Sequence, residues 1–256
     1  MTHRSRIPFI LLFLLPMLLV AAEAKADRRI FGYVYPALTL PQGGLELEHY
    51  ADLGLAGWDD PATPGVEHAW SRPAWRHQIE LEYGITDHLD FGFYNVFSQD
   101  PFGALRFDGV KLRSRYRLGE VGDHWMDTAL YGELEYYGDE VAAEEMIILG
   151  KRVGRLEIAF NLVGEQEYSA ATKEMEYAFK PALGVGFHVT PWLALSLEYH
   201  GELAFEDEEV EFVSYLGPSL SVAGRNFFWT LAVLPQIGNE AGLARIQLRS
   251  LFGITL

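Results

Sequence analysis

The chain has no cysteine in its 256 residues. That excludes disulfides, thiolate metal sites and a lipidated N-terminal cysteine. Cations are scarce as well: 20 Lys and Arg face 36 Asp and Glu, a net charge of −16. Phosphate recognition needs a basic surface, so nucleic acid is not an expected partner. Adhesion to anionic lipid headgroups is disfavoured for the same reason. After residue 22 no apolar run is long enough for a membrane-spanning helix, which needs about 20 residues. No phosphate loop, dinucleotide fingerprint or zinc motif is present, and nothing calls for a cofactor or a metal.

The N-terminus reads as a leader. Arg4 and Arg6 precede the uncharged apolar stretch Ile7 to Ala22, and Ala22-Glu23-Ala24 and Ala24-Lys25-Ala26 are small-x-small cleavage patterns. The expected division is a signal peptide over 1–26 and one domain over 27–256, with cleavage after Ala24 as the alternative. Losing the leader removes three cations and one acid, so the mature chain is more acidic still. An exported chain without disulfides needs another source of stability, and a closed barrel in lipid is one.

What the chain has in abundance is alternation. Met175, Tyr177, Phe179, Pro181, Leu183, Val185, Phe187 and Val189 occupy the odd positions of one stretch. Glu174, Glu176, Ala178, Lys180, Ala182, Gly184, Gly186 and His188 occupy the even ones. Period two means a strand with one apolar face and one polar or small face. Strands of globular proteins average about five or six residues, whereas a tilted bilayer-crossing strand needs about ten plus its extensions. The rhythm returns at Leu193, Leu195, Leu197 and Tyr199, after a turn at Thr190-Pro191 too short for a crossover helix. Antiparallel pairing follows.

Twelve such runs are expected: 44–53, 72–85, 89–97, 109–118, 126–137, 144–153, 156–168, 174–189, 192–203, 209–223, 227–237 and 243–256. Short links (86–88, 119–125, 154–155, 190–191, 224–226) alternate with mostly longer, acidic ones (54–71, 98–108, 138–143, 169–173, 204–208, 238–242). That asymmetry separates periplasmic turns from external loops. The fold class is an all-β, up-and-down antiparallel transmembrane barrel of about twelve strands in the outer membrane, with ten or fourteen as alternatives. Residues 30–39 read as an extra strand or a periplasmic lead-in, with Pro41-Gln42-Gly43-Gly44 as its turn. Either face of 144–153 fits lipid.

Gly32-Tyr33-Val34-Tyr35, Thr39-Leu40-Pro41-Gln42-Gly43, Glu46-Leu47-Glu48 and Ile79-Glu80-Leu81-Glu82-Tyr83-Gly84-Ile85-Thr86-Asp87 carry a family resemblance. By these segments the chain resembles a family of uncharacterised, porin-like proteobacterial outer-membrane barrels. The resemblance implies location and fold and brings no activity. Where outer-membrane strands commonly finish in an aromatic residue read by the barrel-assembly machinery, this chain ends in Leu256, with Phe252 and Ile254 keeping the register.

If the apolar face meets lipid, the charged face lines the lumen, because Arg or Lys at the bilayer midplane costs about 2–4 kcal/mol. Lys111, Arg113, Arg115 and Arg117 sit on alternate positions of one strand. One neighbour would carry Glu133 and Glu135; Glu80 and Glu82 lie on another strand of the ring. Arg245 and Arg249 of the last strand would face Glu46 and Glu48 of the first. One reading is a charged constriction selecting small hydrophilic solutes, with a cation bias. The other is a closed barrel whose lumen is packed with ion pairs and which serves membrane integrity or surface interaction.

Three lesser readings follow. Glu198, His200 and Glu202 share a face, but steps of about 6.8 Å are too wide for one ion without help. His77, Asn95 and Ser114 interrupt the lipid-facing rows and together have the residue types of an outer-membrane lipid hydrolase. The runs Glu206-Asp207-Glu208-Glu209, Asp139-Glu140 and Glu144-Glu145 read as external loop tips, solvated or bridging divalent cations to lipopolysaccharide. No enzyme is expected.

Overall fold

The computed structural model describes residues 29–56, 74–99, 103–206, 209–238 and 244–256. The leader expected over 1–26 and Asp207-Glu208 lie outside them.

Among the described residues twelve strands close into one antiparallel barrel. They are β1 Leu45–Ala56, β2 Ala74–Thr86, β3 Leu89–Gln99, β4 Arg106–Leu118, β5 Asp127–Tyr136 and β6 Glu140–Val153. β7 Leu156–Ser169, β8 Met175–Thr190, β9 Leu193–Glu206, β10 Glu209–Ala223, β11 Phe227–Ile237 and β12 Ala244–Thr255 complete it. Each strand pairs with its sequence neighbours, and β1 pairs with β12 to close the ring. The count is twelve rather than ten or fourteen. The even number puts both ends of the barrel chain, Leu45 and Leu256, on the side of the short turns.

The expected polarity holds around the ring. Phe179 and Leu183 are each 41% exposed and Leu195 is 50% exposed, on the outer wall and not between stacked sheets. Tyr136, Tyr168 and Tyr177 mark the external rim of this belt, and Tyr83, Tyr116 and Phe187 its periplasmic rim. Strand β6 begins at Glu140, four residues earlier than expected, so Glu144 and Glu145 are strand residues and not a loop tip. Its alternation resolves with Glu144 inward and Glu145 outward, the direction set by fully buried Ile148 and exposed Ile147.

Residues 29–44 overturn the expectation for the N-terminal run. They form neither a thirteenth strand nor a lead-in outside the barrel; they fill the lumen. Ile30, Phe31, Val34, Ala37 and Leu40 are at most 3% exposed. Ile30, Phe31 and Val34 pack on Ala159, Ala182 and Ala194, and Ala37 packs among Ala129, Tyr131, Met146, Ile148 and Val163. Pro36 and Pro41 lack the N–H that a strand ladder requires, which keeps the segment out of the sheet. The wall makes room with glycine. A Cβ at Gly184 would meet the Phe31 ring at 2.7 Å, and one at Gly186 would meet the Ile30 Cδ1 at 2.4 Å. Burying each such apolar side chain contributes about 1.5–3 kcal/mol, an inducement for the segment to stay inside.

Candidate functional site

The internal segment is held by single side chains projecting from the wall. The Glu198 carboxylate accepts hydrogen bonds from the amides of Gly32 (2.7 Å), Tyr33 (2.7 Å) and Val34 (3.1 Å). Ser219 donates its hydroxyl to the same carboxylate. Asn161 clamps Tyr35 from both sides, accepting from its amide at 2.7 Å and donating to its carbonyl at 2.9 Å. Asp90 accepts from the Leu40 amide at 2.9 Å. Arg29, Ile30 and Gly32 offer carbonyls to Thr230 (2.6 Å), Ser196 (3.0 Å) and Arg249 (3.2 Å). Buried backbone groups outside a ladder must find such partners, and here the wall supplies them one by one.

Beneath and beside the segment lies a buried ion-pair cluster. Arg113, 2% exposed, donates to Glu80 (2.7 Å), to Asp90 (2.5 Å) and to Glu82. Arg115 donates to Glu82 (2.8 Å) and Asp90 (2.9 Å). Arg29 reaches Glu48 (3.3 Å) and the Tyr50 hydroxyl (2.5 Å), and that hydroxyl lies within hydrogen-bond distance of both Glu48 and Glu80 (2.9 Å), with one proton to donate between them. Arg117 donates to the carbonyls of Gly119 (2.6 Å) and Asp87 (2.9 Å) and to Thr39 of the internal segment (3.3 Å). Asp90 is the second residue of β3, Arg117 the penultimate residue of β4 and Thr230 the fourth of β11. This cluster and the segment therefore occupy the periplasmic half of the lumen and make its floor.

Above the floor, towards the external end, the lumen is lined by a second set of charged side chains, the vestibule. Lys111 lies 3.0 Å from both Glu133 and Glu135, and Lys180 lies 2.6 Å from Glu165 and 4.0 Å from Glu202. Just beyond the external end of β5, Tyr137 donates to Glu135 at 2.6 Å and accepts from Arg76 at 2.5 Å. Burial raises the Tyr137 phenol above its ordinary value, against the opposing pull of Lys111 and Arg76. On the other side Tyr33, His200 and Tyr215 stack in sequence at 4.9 and 5.0 Å between ring centroids. The Arg249 guanidinium lies 4.2 Å over the Tyr33 ring and is paired to Asp52 at 2.6 Å.

The structure thus divides the basic row of β4 between two levels. Lys111, Glu133 and Glu135 line the vestibule, while Arg113, Arg115, Arg117, Glu80 and Glu82 belong to the floor. The basic last strand faces β1 as expected, with Asp52 rather than Glu46 or Glu48 as the partner of Arg249. Asp90, Asp52, Asn161 and Arg29 were missed by sequence reasoning. Asp90 had a signal, since Asp90, Gly92 and Tyr94 share the lumen face of β3, but a lone acid among apolar neighbours is easily taken for a turn residue.

Two carboxylate trios, Glu46 with Glu48 and Glu82, and Glu135 with Glu144 and Glu165, bring oxygens within 4.8 Å of one another. They are where a cation would find ligands, and each is interleaved with Arg or Lys. Glu198, His200 and Glu202 do not converge: Glu198 holds backbone amides, His200 bonds Gln247 at 2.8 Å, and Glu202 turns towards Lys180. His77, Asn95 and Ser114 do not assemble either. His77 meets His49 at 3.2 Å, and Ser114 pairs across the ladder with Phe91 and Gly132.

A closed twelve-strand barrel with a greasy outer belt, a polar lumen and short turns on one side defines an outer-membrane β-barrel of the porin-like kind. Residues 123–245 match a family of unknown function (DUF6662). No curated protein matches the sequence. Among solved structures the fold is similar to the COG4313 outer membrane channel from Pseudomonas putida F1. The TM-score is 0.62 at 12% identity, over 86% of this chain and 98% of that one. It is also similar to the NanC porin, with a TM-score of 0.54 at 9% identity over 83% and 98%. The KdgM porin, solved in complex with disordered oligogalacturonate, has a TM-score of 0.52 at 8% identity over 82% and 97%.

Proposed function

We propose that the protein is a gated outer-membrane channel for small hydrophilic solutes, closed at rest by residues 29–44. The observation that carries this reading is the stacking of a charged vestibule on a floor made of a non-strand segment. Apart from Gly43 and Gly44, which pair with the backbone of Gly84 where the segment runs into β1, it is tethered by hydrogen bonds to isolated side chains and not by a continuous ladder. Detaching it breaks the side-chain bonds described above and exposes its apolar residues to the lumen, which keeps the closed state dominant, but it leaves the barrel wall whole, so passage does not require unfolding of the barrel. The vestibule has more carboxylates than ammonium groups on its β5–β9 side, which favours cations and neutral polyols over anions. The fold shared with outer-membrane channels supports passage over catalysis, and no catalytic role is assigned to any residue. Lipopolysaccharide around the belt and the barrel-assembly machinery acting on the alternating strands complete the expected partners.

A second reading is a sealed barrel that serves membrane integrity or surface interaction, and the Arg113 cluster favours it. Planar-bilayer recording separates the two. Under the channel reading the whole protein shows rare steps and a variant lacking residues 29–40 shows frequent, larger, cation-preferring ones. Equal silence of both, with the barrel folded, contradicts passage.

A further inference from the structure

The net charge of −16 is spread unevenly, and one corner of the periplasmic rim is basic. Two turns meet there: residues 119–126 between β4 and β5, and residues 154–155 between β6 and β7. Lys151, Arg152 and Arg155 stand together at the second turn, and among the described residues no acid forms an ion pair with any of them. The nearby acids are mostly engaged. Glu120 lies 3.0 Å from His88 and 3.5 Å from Arg117, and Glu157, opposite Arg152 in the ladder, lies 2.8 Å from His188. Asp127 accepts the Gly122 amide at 2.6 Å. Asp123, exposed on the first turn, is left to offset three cations.

The same corner carries an open cleft of about 450 Å³ on the lipid side of the wall, lined by Tyr116, Leu118, Thr128, His124, Trp125 and Met126. Tyr116, Leu118 and Thr128 belong to the outer faces of β4 and β5, at the level of the periplasmic aromatic rim, and the turn supplies the rest. Lys151 also points outward, and its ammonium donates to the His124 carbonyl, which brings a cation to the edge of the cleft. Trp125 is 85% exposed, and Val153, next to Lys151 on the outer face of β6, is 69% exposed. An indole and an aliphatic side chain beside cations suit the boundary between hydrocarbon and headgroups better than bulk water.

We propose that this corner binds one anionic glycerophospholipid of the periplasmic leaflet. An acyl chain lies against Tyr116 and Leu118, the glycerol region sits in the cleft beside Trp125, and the phosphate faces Lys151, Arg152 and Arg155. Charge and shape select this occupant together. A soluble anion would use the cations and leave the cleft beside Trp125 unfilled. A zwitterionic lipid would fill the cleft but bring its own ammonium up against three cations. Each Lys or Arg near an anionic headgroup strengthens binding about fivefold. The site lies outside the lumen and does not depend on gating by residues 29–44.

The test is native mass spectrometry of the purified full chain in an uncharged detergent, titrated with phosphatidylglycerol or with phosphatidylcholine of the same acyl chains. Heat-modifiable migration confirms a folded barrel for each variant. Wild type is expected to retain one phosphatidylglycerol, bound about tenfold or more tighter than phosphatidylcholine. Lys151→Ala combined with Arg155→Ala weakens phosphatidylglycerol by about thirtyfold and leaves phosphatidylcholine unchanged. Trp125→Ala weakens both lipids. Arg225→Ala, which removes an exposed cation from the turn between β10 and β11, binds as wild type does. Equal retention of the two lipids by wild type overturns the proposal. A loss at Arg225→Ala as large as in the double variant also overturns it, because attraction would then belong to the whole rim. Competition by glycerol phosphate at the same concentration as the lipid would show a free-anion site, and the lipid assignment falls.

Discussion

Gly32 of the internal segment lies against Ala232 of β11 so closely that a Cβ added to the glycine would sit 2.6 Å from the alanine Cβ. The same glycine donates its amide to Glu198 at 2.7 Å and offers its carbonyl to Arg249 at 3.2 Å. One residue is thus fixed by strands β9, β11 and β12 at once, and its missing side chain is the condition for that fit. The contact spans 200 positions of sequence, which is why it is the natural place to ask whether the segment moves.

Crowding the seat should expel the segment. Gly184→Leu puts a branched side chain where a Cβ alone would already be 2.7 Å from the Phe31 ring. The expected outcome is a barrel that folds and closes as before, because β8 keeps its ladder, but opens far more often in bilayer recordings. An unchanged current trace would place the segment's role elsewhere.

Removing the main tether should act in the same direction and by a measurable amount. Glu198 serves the amides of Gly32, Tyr33 and Val34, and a bond to a charged acceptor contributes about 1.5–3 kcal/mol. Glu198→Gln keeps the shape and loses the charge, so open probability should rise by about tenfold or more. Single-channel dwell times read this directly.

The floor cluster is a stability device, and its loss should show as melting rather than conduction. Arg113 is the common partner of Glu80, Glu82 and Asp90, and deleting one partner of a buried ion pair costs about 3–5 kcal/mol. Arg113→Ala should lower the temperature at which the folded band is lost on electrophoresis. Lys111→Ala, in the wetter vestibule, should lower it less and should shift ion selectivity instead.

The outer belt gives a control with the opposite logic. Leu183→Arg faces lipid and should cost about 2–4 kcal/mol near the midplane, less towards either rim. Equilibrium unfolding in detergent micelles or bilayers measures it, and insensitivity to the change would place that face in water.

Much of this was legible beforehand because period-two alternation is enforced by lipid on one side and water or ion pairs on the other. β8, with eight apolar residues on odd positions, announces itself, and the turn at Thr190-Pro191 fixes its partner. β6 was harder, since Ile147, Ile148 and Leu149 are apolar in succession and only the packing of Ile148 against the internal segment settles which face is which. The charges of β4 were seen, but their separation into floor and vestibule was not. That split depends on the register with β2 and β3, where Asp90 and Glu82 meet Arg113 and Arg115. The internal segment was misread because Ile30 to Thr39 is as apolar as a strand. Nothing local distinguishes burial inside a barrel from membership of its wall, and the prolines at 36 and 41 were the one available sign.

The central claim is that residues 29–44 close the lumen and must shift for solute to pass. With no native cysteine, Gly32→Cys combined with Ala232→Cys places two thiols alone in the molecule, and about 1 Å of give brings their Cβ atoms to disulfide spacing. Single-channel recording of this variant should show no openings when oxidised and a return of openings on reduction. Identical currents in the two states, with the disulfide verified by mass, would contradict the account.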